Sequence, residues 1–149
     1  MRTIRIQRQD FDAAAEVAAL STGNKQVGAV VTFTGVVRGE DGLSALTLEH
    51  YTGMTEREIA RHADEAERRW PLLGITVIHR TGRLIPGENI VLVAVASAHR
   101  PAAFEAAEFL VDYLKTRAPF WKEEERGAAT KWVEAKGSDE SAAARWNRS

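Results

Sequence analysis

Three groups of residues carry enough chemistry to build a site. The first is Ser97-Ala98-His99-Arg100-Pro101, where an uncharged stretch gives way to a proline suited to the first turn of a helix. A helix start offers unpaired N–H groups and a partial positive charge. With His99 and Arg100 beside it, this one suits an anion, phosphate above all. The same residues equally suit a capping or core histidine followed by a solvated arginine.

The second group is Lys115 and Lys122. Lys115 falls near the end of an amphipathic stretch, and Lys122 follows the break at Ala118-Pro119-Phe120-Trp121. A kink at Pro119 folds Lys122 back towards Lys115. An ammonium beside another cation and apolar walls loses its proton more easily and can act as base or nucleophile. A lysine closing a helix also has the plainer use of complementing the helix dipole. The third group is Arg38 alone, at the end of the uncharged run 27–37. It is either the first solvated residue after a buried strand or a clamp for phosphate or carboxylate.

Other polar residues read as structural. Glu49 and His50 share a strand, and no His or carboxylate spacing suits a metal. Glu123, Glu124 and Glu125 read as a solvated loop. There is no phosphate-binding glycine loop of the nucleotide-binding kind and no dinucleotide fingerprint. The 149 residues contain no cysteine, so neither a thiolate nucleophile nor a disulfide is available. Any sulfur chemistry must draw its sulfur from another molecule. With 20 basic and 21 acidic side chains the chain lacks the basic footprint of a general nucleic-acid binder. No apolar run reaches the roughly 18 residues of a membrane span, and the first ten residues lack a signal peptide's apolar stretch. The expectation is one cytoplasmic domain, residues 1–149.

The elements that must hold these groups follow from periodicity. Residues 3–7 alternate as a short strand, and 10–20 are alanine-rich and helical, with Asp10 or Asp12 near the start. Residues 27–37 and 44–51 make two strands around the turn-forming segment 38–42. Thr55 with Glu58 has the spacing of a capping box, and the helix it opens stops at Pro71. Strands are predicted over 74–81 and 89–97 with a Pro-Gly turn between them. A helix runs from Pro101 to before Pro119, with Phe104, Ala107, Leu110, Val111 and Leu114 as its apolar stripe. A last strand over 130–135 and a short helix over 138–146 close the chain. This order predicts an α+β layer of helices against a mainly antiparallel sheet.

The strings GAVVTFTGVVR, ALTLEHYTGM, RWPLLGITVIHRTGRLIPGE, SAHRPAAFEA, DYLKTRAPFWK and WVEA together resemble the catalytic subunits of molybdopterin synthase, in register from about Gly28 to Trp146. The resemblance implies an α/β hammerhead-like fold with a small antiparallel β subdomain. It implies a homodimer with a small ubiquitin-like sulfur-carrier subunit at each outer end, a heterotetramer in all. The implied sulfurtransferase reaction converts a cyclic pyranopterin monophosphate (precursor Z) into molybdopterin. Its sulfur comes from the thiocarboxylated C-terminus of the carrier. No resident cofactor, metal, nucleic acid or membrane is implied. The implied catalytic residues are Lys115 and Lys122. The implied substrate contacts are Phe33, Val36, Val37, Arg38, His99 and Arg100, with the pterin phosphate against Arg38, His99 and Arg100 in the same cavity as Lys115. Some relatives carry lysine in place of Val36. Some carry arginine in place of Lys136, a position that reaches a neighbouring protomer's pocket; lysine keeps the charge and loses the bidentate geometry.

Overall fold

The computed structural model describes residues 1–127, 129–132 and 137–147. Lys136 and most of the WVEA string lie outside the described residues. The elements run β1 (Arg2–Gln7), α1 (Ala13–Ser21), β2 (Ala29–Val36), β3 (Leu43–His50), α2 (Met54–Arg69), β4 (Leu72–Arg80), β5 (Gly82–Leu84), β6 (Asn89–Ser97), α3 (Arg100–Thr116), β7 (Phe120–Arg126), β8 (Ala129–Trp132) and α4 (Gly137–Ala144).

They build two four-stranded sheets. The first has the order β1-β4-β6-β2, with only the β1–β4 pair parallel. The second has the order β5-β3-β7-β8 and is antiparallel throughout. This is the expected α+β class, antiparallel-dominated sheets packed with helices. Ile75, Val77, Val91, Val93 and Val95 of the first sheet pack with Ile59, Ala63 and Ala66 of α2 and Ala106, Ala107, Phe109, Leu110 and Tyr113 of α3. A smaller cluster joins Leu46, Leu48 and Leu84 of the second sheet to Val37, just past the end of β2.

Several local expectations hold. Asp12 is the N-cap of α1, its carboxylate accepting the Ala15 N–H at 3.1 Å. α2 ends at Arg69, before Pro71. Others need correction. The helix α2 begins two residues earlier than the Thr55–Glu58 spacing suggests. Its N-cap is Gly53 at φ +84°, and Glu56 accepts the Gly53 N–H at 3.0 Å. Thr55 is instead fully buried; its hydroxyl accepts the Tyr51 N–H at 3.0 Å and donates to the Pro119 carbonyl at 2.8 Å. Phe104 lies outside the buried stripe of α3 and is 58% exposed. The Glu123–Glu125 run is no loop, since it lies within β7, paired along β3. β5, a three-residue strand paired with Leu46–Leu48, replaces part of the expected turn.

Candidate active site

Between the two sheets and α3 lies a cavity of about 560 Å³, within the range of small-molecule sites. Its floor is a row across the first sheet. Gly35 of β2 pairs with Val91 of β6, and Val91 pairs with His79 of β4. Residues directly opposite in a ladder project to the same face, and all three line the cavity. A side chain at Gly35 has no room, because a Cβ there would stand 2.7 Å from a Val91 methyl. One wall is β7, whose residues Phe120, Lys122, Glu124 and Arg126 all line the cavity. That is the period of two expected of one strand face. Leu46 and Leu48, their ladder partners on β3, extend the same wall. The other wall is the last two turns of α3, through Val111, Leu114 and Lys115.

Six of the expected site residues meet here. Phe33, Val36, Val37, Arg38, Lys115 and Lys122 all line this one cavity. The chain reversal at Pro119 carries the backbone from the end of α3 into β7, so Lys122 returns beside Lys115 as the break suggests. Among the described residues no carboxylate lies within ion-pair distance of Lys115, an exposed side chain at the mouth. Arg38 sits at the rim, donating to the Glu40 carboxylate, with its side chain 68% exposed. Across the cavity Arg126 bonds Glu124 at 3.2 Å.

His99 and Arg100 are not part of this group. They sit at the N-terminal end of α3, fifteen residues before Lys115. At 1.5 Å per residue the separation along the axis is roughly 22 Å. The expectation that they hold the pterin phosphate in the same cavity as Lys115 therefore fails within a single chain, for the plain reason that a straight helix lies between them. His99 is the N-cap residue, yet its side chain makes no capping bond, and both side chains are exposed. Neither a capping nor a core role describes His99. The turn is an open basic surface.

His79 was not among the residues that spacing singled out. It is 6% exposed, its ring stacked on Phe120 with centroids 4.0 Å apart, and its Nδ1 is 2.9 Å from the Arg80 carbonyl oxygen. Burial, first, and the nearby Lys122 and Lys115 ammonium groups hold its pKa down at about 4, against the opposing hydrogen bond to Arg80. The ring is uncharged at neutral pH. A histidine within the apolar run LLGITVIHR was the available signal, because a buried polar side chain needs a partner or a purpose. Among the described residues no cluster of three or more His or carboxylate side chains suits a metal.

A family model described as MoaE protein matches residues 6–117. The molybdopterin synthase catalytic subunit of Mesorhizobium japonicum is 66% identical over 150 residues, covering 99% of this chain and 94% of that one. Among solved structures, the molybdopterin biosynthesis MoaE protein from Burkholderia ambifaria MC40-6 superposes with a TM-score of 0.86 at 49% identity over the whole of both chains. The molybdopterin synthase of Staphylococcus aureus gives 0.79 at 32% identity, covering 86% of this chain and 94% of that one. A family match over three-quarters of the sequence, relatives of this identity and a shared fold converge: the chain belongs to the MoaE family of molybdopterin synthase catalytic subunits, enzymes of molybdenum-cofactor biosynthesis.

Proposed function

We propose that this chain is the sulfurtransferase that converts precursor Z into molybdopterin, taking sulfur from the thiocarboxylated C-terminus of a small ubiquitin-like carrier subunit in the cytoplasm. The observation that carries the reading is the convergence of Lys115, Lys122 and Arg38 on one cavity, with Lys115 free of any carboxylate partner among the described residues. Both reactants are anionic, a pterin phosphate and a thiocarboxylate. A cation such as Lys115, with no carboxylate partner among the described residues, gathers such groups strongly in a partly desolvated cleft. Phe33, Val36 and Val37 supply apolar surface for the pterin. Lys115 stands where it polarises the thiocarboxylate, moves protons during attack, or holds the carrier's acyl group as an amide for a time. Lys122 shares the proton transfer or binds substrate. With no cysteine in the chain, the sulfur enters on the carrier.

The roughly 22 Å between Arg100 and Lys115 adds a requirement. If His99 and Arg100 bind the substrate's phosphate, they do so in the cavity of a second protomer. The functional unit is then a homodimer in which each active site draws on both chains, with one carrier bound per protomer. Lys136 belongs to the same cross-protomer group in this reading.

The test is reconstitution with thiocarboxylated carrier and precursor Z, followed by detection of the dithiolene product. The expected result is product from the wild-type chain and none from Lys115→Ala or Arg100→Ala homodimers. Mixing the two variants restores roughly a quarter to a half of wild-type activity if sites are shared between chains, because a mixed dimer keeps one intact site. No product from wild type refutes the sulfurtransferase reading. Inactive mixtures refute the shared site alone. A phosphate-binding module or a scaffold for the carrier would bind its ligand with either lysine removed and have no turnover to lose.

A further inference from the structure

His79 is a buried ionisable side chain in the cavity floor that the proposed reaction does not use. It donates its Nδ1–H to the Arg80 carbonyl at 2.9 Å, and since a carbonyl oxygen can only accept, the tautomer is set. Nε2 therefore carries a lone pair, on the ring edge opposite the one tied to the strand. Phe120 stacks on the ring at 4.0 Å with planes 21° apart and keeps it from turning. Among the described residues no donor bonds Nε2. Nor is that atom sealed away, because the fully enclosed polar side-chain atoms without a partner are His50 Nδ1 and Tyr113 Oη. Nε2 thus opens onto the cavity that its residue lines.

An acceptor is scarce there. Arg38, Lys115, Lys122 and Arg126 present only donors. Of the lining carboxylates, Glu40 is engaged by Arg38 and Glu124 by Arg126, and Asp139 comes from α4, which packs against α3. A pyranopterin needs an acceptor. Fusion of the pyran ring leaves its pyrazine ring reduced, so the nitrogens of that ring carry hydrogen. The adjacent donors on its pyrimidine edge suit a carboxylate, whereas an isolated ring N–H suits a single lone pair. The carbons that take up sulfur adjoin the pyrazine ring. The Lys115 and Lys122 ammonium groups lie near enough to His79 to disfavour a second proton on it. Reacting carbons beside those lysines place the reduced ring beside His79. Phe33 lines the same cavity from β2, two strand spacings or roughly 10 Å from β4, so a planar heterocycle lying across Val91 meets both.

We propose that His79 is a specificity-determining residue for the reduced pterin: its Nε2 accepts a hydrogen bond from a pyrazine-ring N–H of the substrate. The identity of the ligand rests on the sulfurtransferase reading. In an oxidised pterin the same ring nitrogens are themselves acceptors, and one of them would set its lone pair against that of Nε2.

Calorimetry on the full chain, with oxygen excluded, compares precursor Z with the same compound after oxidation of its pyrazine ring. Wild type should bind the reduced form about tenfold or more tightly, the scale of a made hydrogen bond against an unpaired buried acceptor. His79→Phe keeps ring volume and the stack on Phe120 but removes the acceptor, and should bind the two forms within about twofold of each other. His79→Gln places an amide oxygen near the lost Nε2 and should recover much of the preference. A merely structural role moves both affinities together, so an undiminished ratio in His79→Phe would overturn the proposal, as would equal binding of both forms by wild type. Should a variant fail to fold, 15N NMR of the wild-type chain decides. The Nε2 signal should move on addition of the reduced form and not of the oxidised one. No movement, or a protonated Nε2 near neutral pH, refutes the contact. Neither measurement needs sulfur transfer. Absent turnover with the preference intact sinks the sulfurtransferase reading alone, and turnover without the preference sinks the role of His79 alone.

Discussion

Helix α3 separates two basic hollows that differ in size and in which cation their ion pairs leave out. On one side is the cavity of Lys115 and Lys122. On the other, Phe109, Tyr113 and Arg117 face a smaller hollow of about 200 Å³, closed by Arg61, His62, Glu65, Arg68 and Arg69 of α2 and by Trp146. There the chain supplies its own anions. Arg61 bonds Glu58 at 2.8 Å, Arg69 bonds Glu65 at 2.7 Å and the Trp146 carbonyl at 2.9 Å, and Arg68 also bonds Glu65. Those two arginines hold the Glu65 carboxyl down at about 2. Among the described residues Arg117, the exposed C-cap of α3, stands apart from these pairs. In the larger cavity the carboxylates Glu40 and Glu124 engage the arginines Arg38 and Arg126, while Lys115 has none within reach among the described residues. Positive charge thus serves structure where it is matched; among the described residues Lys115 is left for a ligand in a cavity of about 560 Å³, and Arg117 at the edge of a hollow of about 200 Å³. The experiments that follow put pressure on that difference.

The largest expected effect is on Lys115. Lys115→Ala lowers single-turnover sulfur transfer by at least about 100-fold, the scale of losing a group that acts in the transition state, while the thermal midpoint stays within a degree or two. Arg68→Ala on the other side of α3 changes neither by much, because an exposed pair contributes about 0–1 kcal/mol. Equal losses of activity in the two variants would erase the distinction between the hollows.

A second experiment strikes the cavity floor without touching a charge. Gly35→Ala places a methyl 2.7 Å from the Val91 side chain, whose backbone is held in the middle of the sheet. Relief of that overlap shifts Val91 and, beside it, His79. The expected cost is about 1–3 kcal/mol in denaturant unfolding, together with reduced turnover. A variant as stable and as active as wild type would mean that the floor tolerates movement and that its geometry does not matter.

How much of this was legible in the sequence depended on how each element hides its pattern. β2 and β6 are rich in β-branched residues and uncharged, and β4 is uncharged up to its closing His79 and Arg80, so all three were readable almost to their ends. β7 was not. Its alternation runs through Phe120, Lys122, Glu124 and Arg126, and a face built from charged residues gives no apolar period to detect. The convergence of Lys115 and Lys122 was legible because Pro119 forces a reversal only a few residues from both. The row Gly35–Val91–His79 was not, since it depends on the register of three strands far apart in sequence. The separation of Arg100 from Lys115 could have been read from helix length alone.

The pH dependence of stability offers a finer comparison, because each hollow buries a histidine in its neutral form. Burial is the main cause for both His79, at about 4, and His62, lowered from 6.5. In the unfolded chain these rings take up a proton near pH 6.5, so unfolding gains protons below that value. The sign follows: stability falls as the pH drops from about 6.5 towards 4 and levels off once the folded ring is protonated too. For His79 the span of the shift corresponds to an effect on the order of 3 kcal/mol. His79→Gln should flatten the curve in that window. His62→Gln, at a ring only half buried, should flatten it less. Loss of the Glu65 interactions falls lower, between about 4.5 and 2, so the windows separate. An unchanged slope in His79→Gln would show that the ring is hydrated in the folded state.

The smallest expected effect belongs to Tyr113, on the structural side of α3. Its ring stacks on His62 with centroids 3.4 Å apart, yet its hydroxyl is buried without a hydrogen-bond partner among the described residues, and burial raises its pKa. A buried hydroxyl with nothing to bond costs free energy that a hydrogen atom in its place would not. Tyr113→Phe keeps the stack and removes that cost. The expected change is a stabilisation of up to about 1 kcal/mol, with sulfur transfer unaffected because the ring faces away from Lys115. The measurement is a pair of urea unfolding curves at equal slope. A loss of more than about 1 kcal/mol would mean that an ordered water satisfies the hydroxyl. A loss of turnover would mean that the two sides of α3 are coupled, and the contrast between the two hollows would no longer explain where the chemistry occurs.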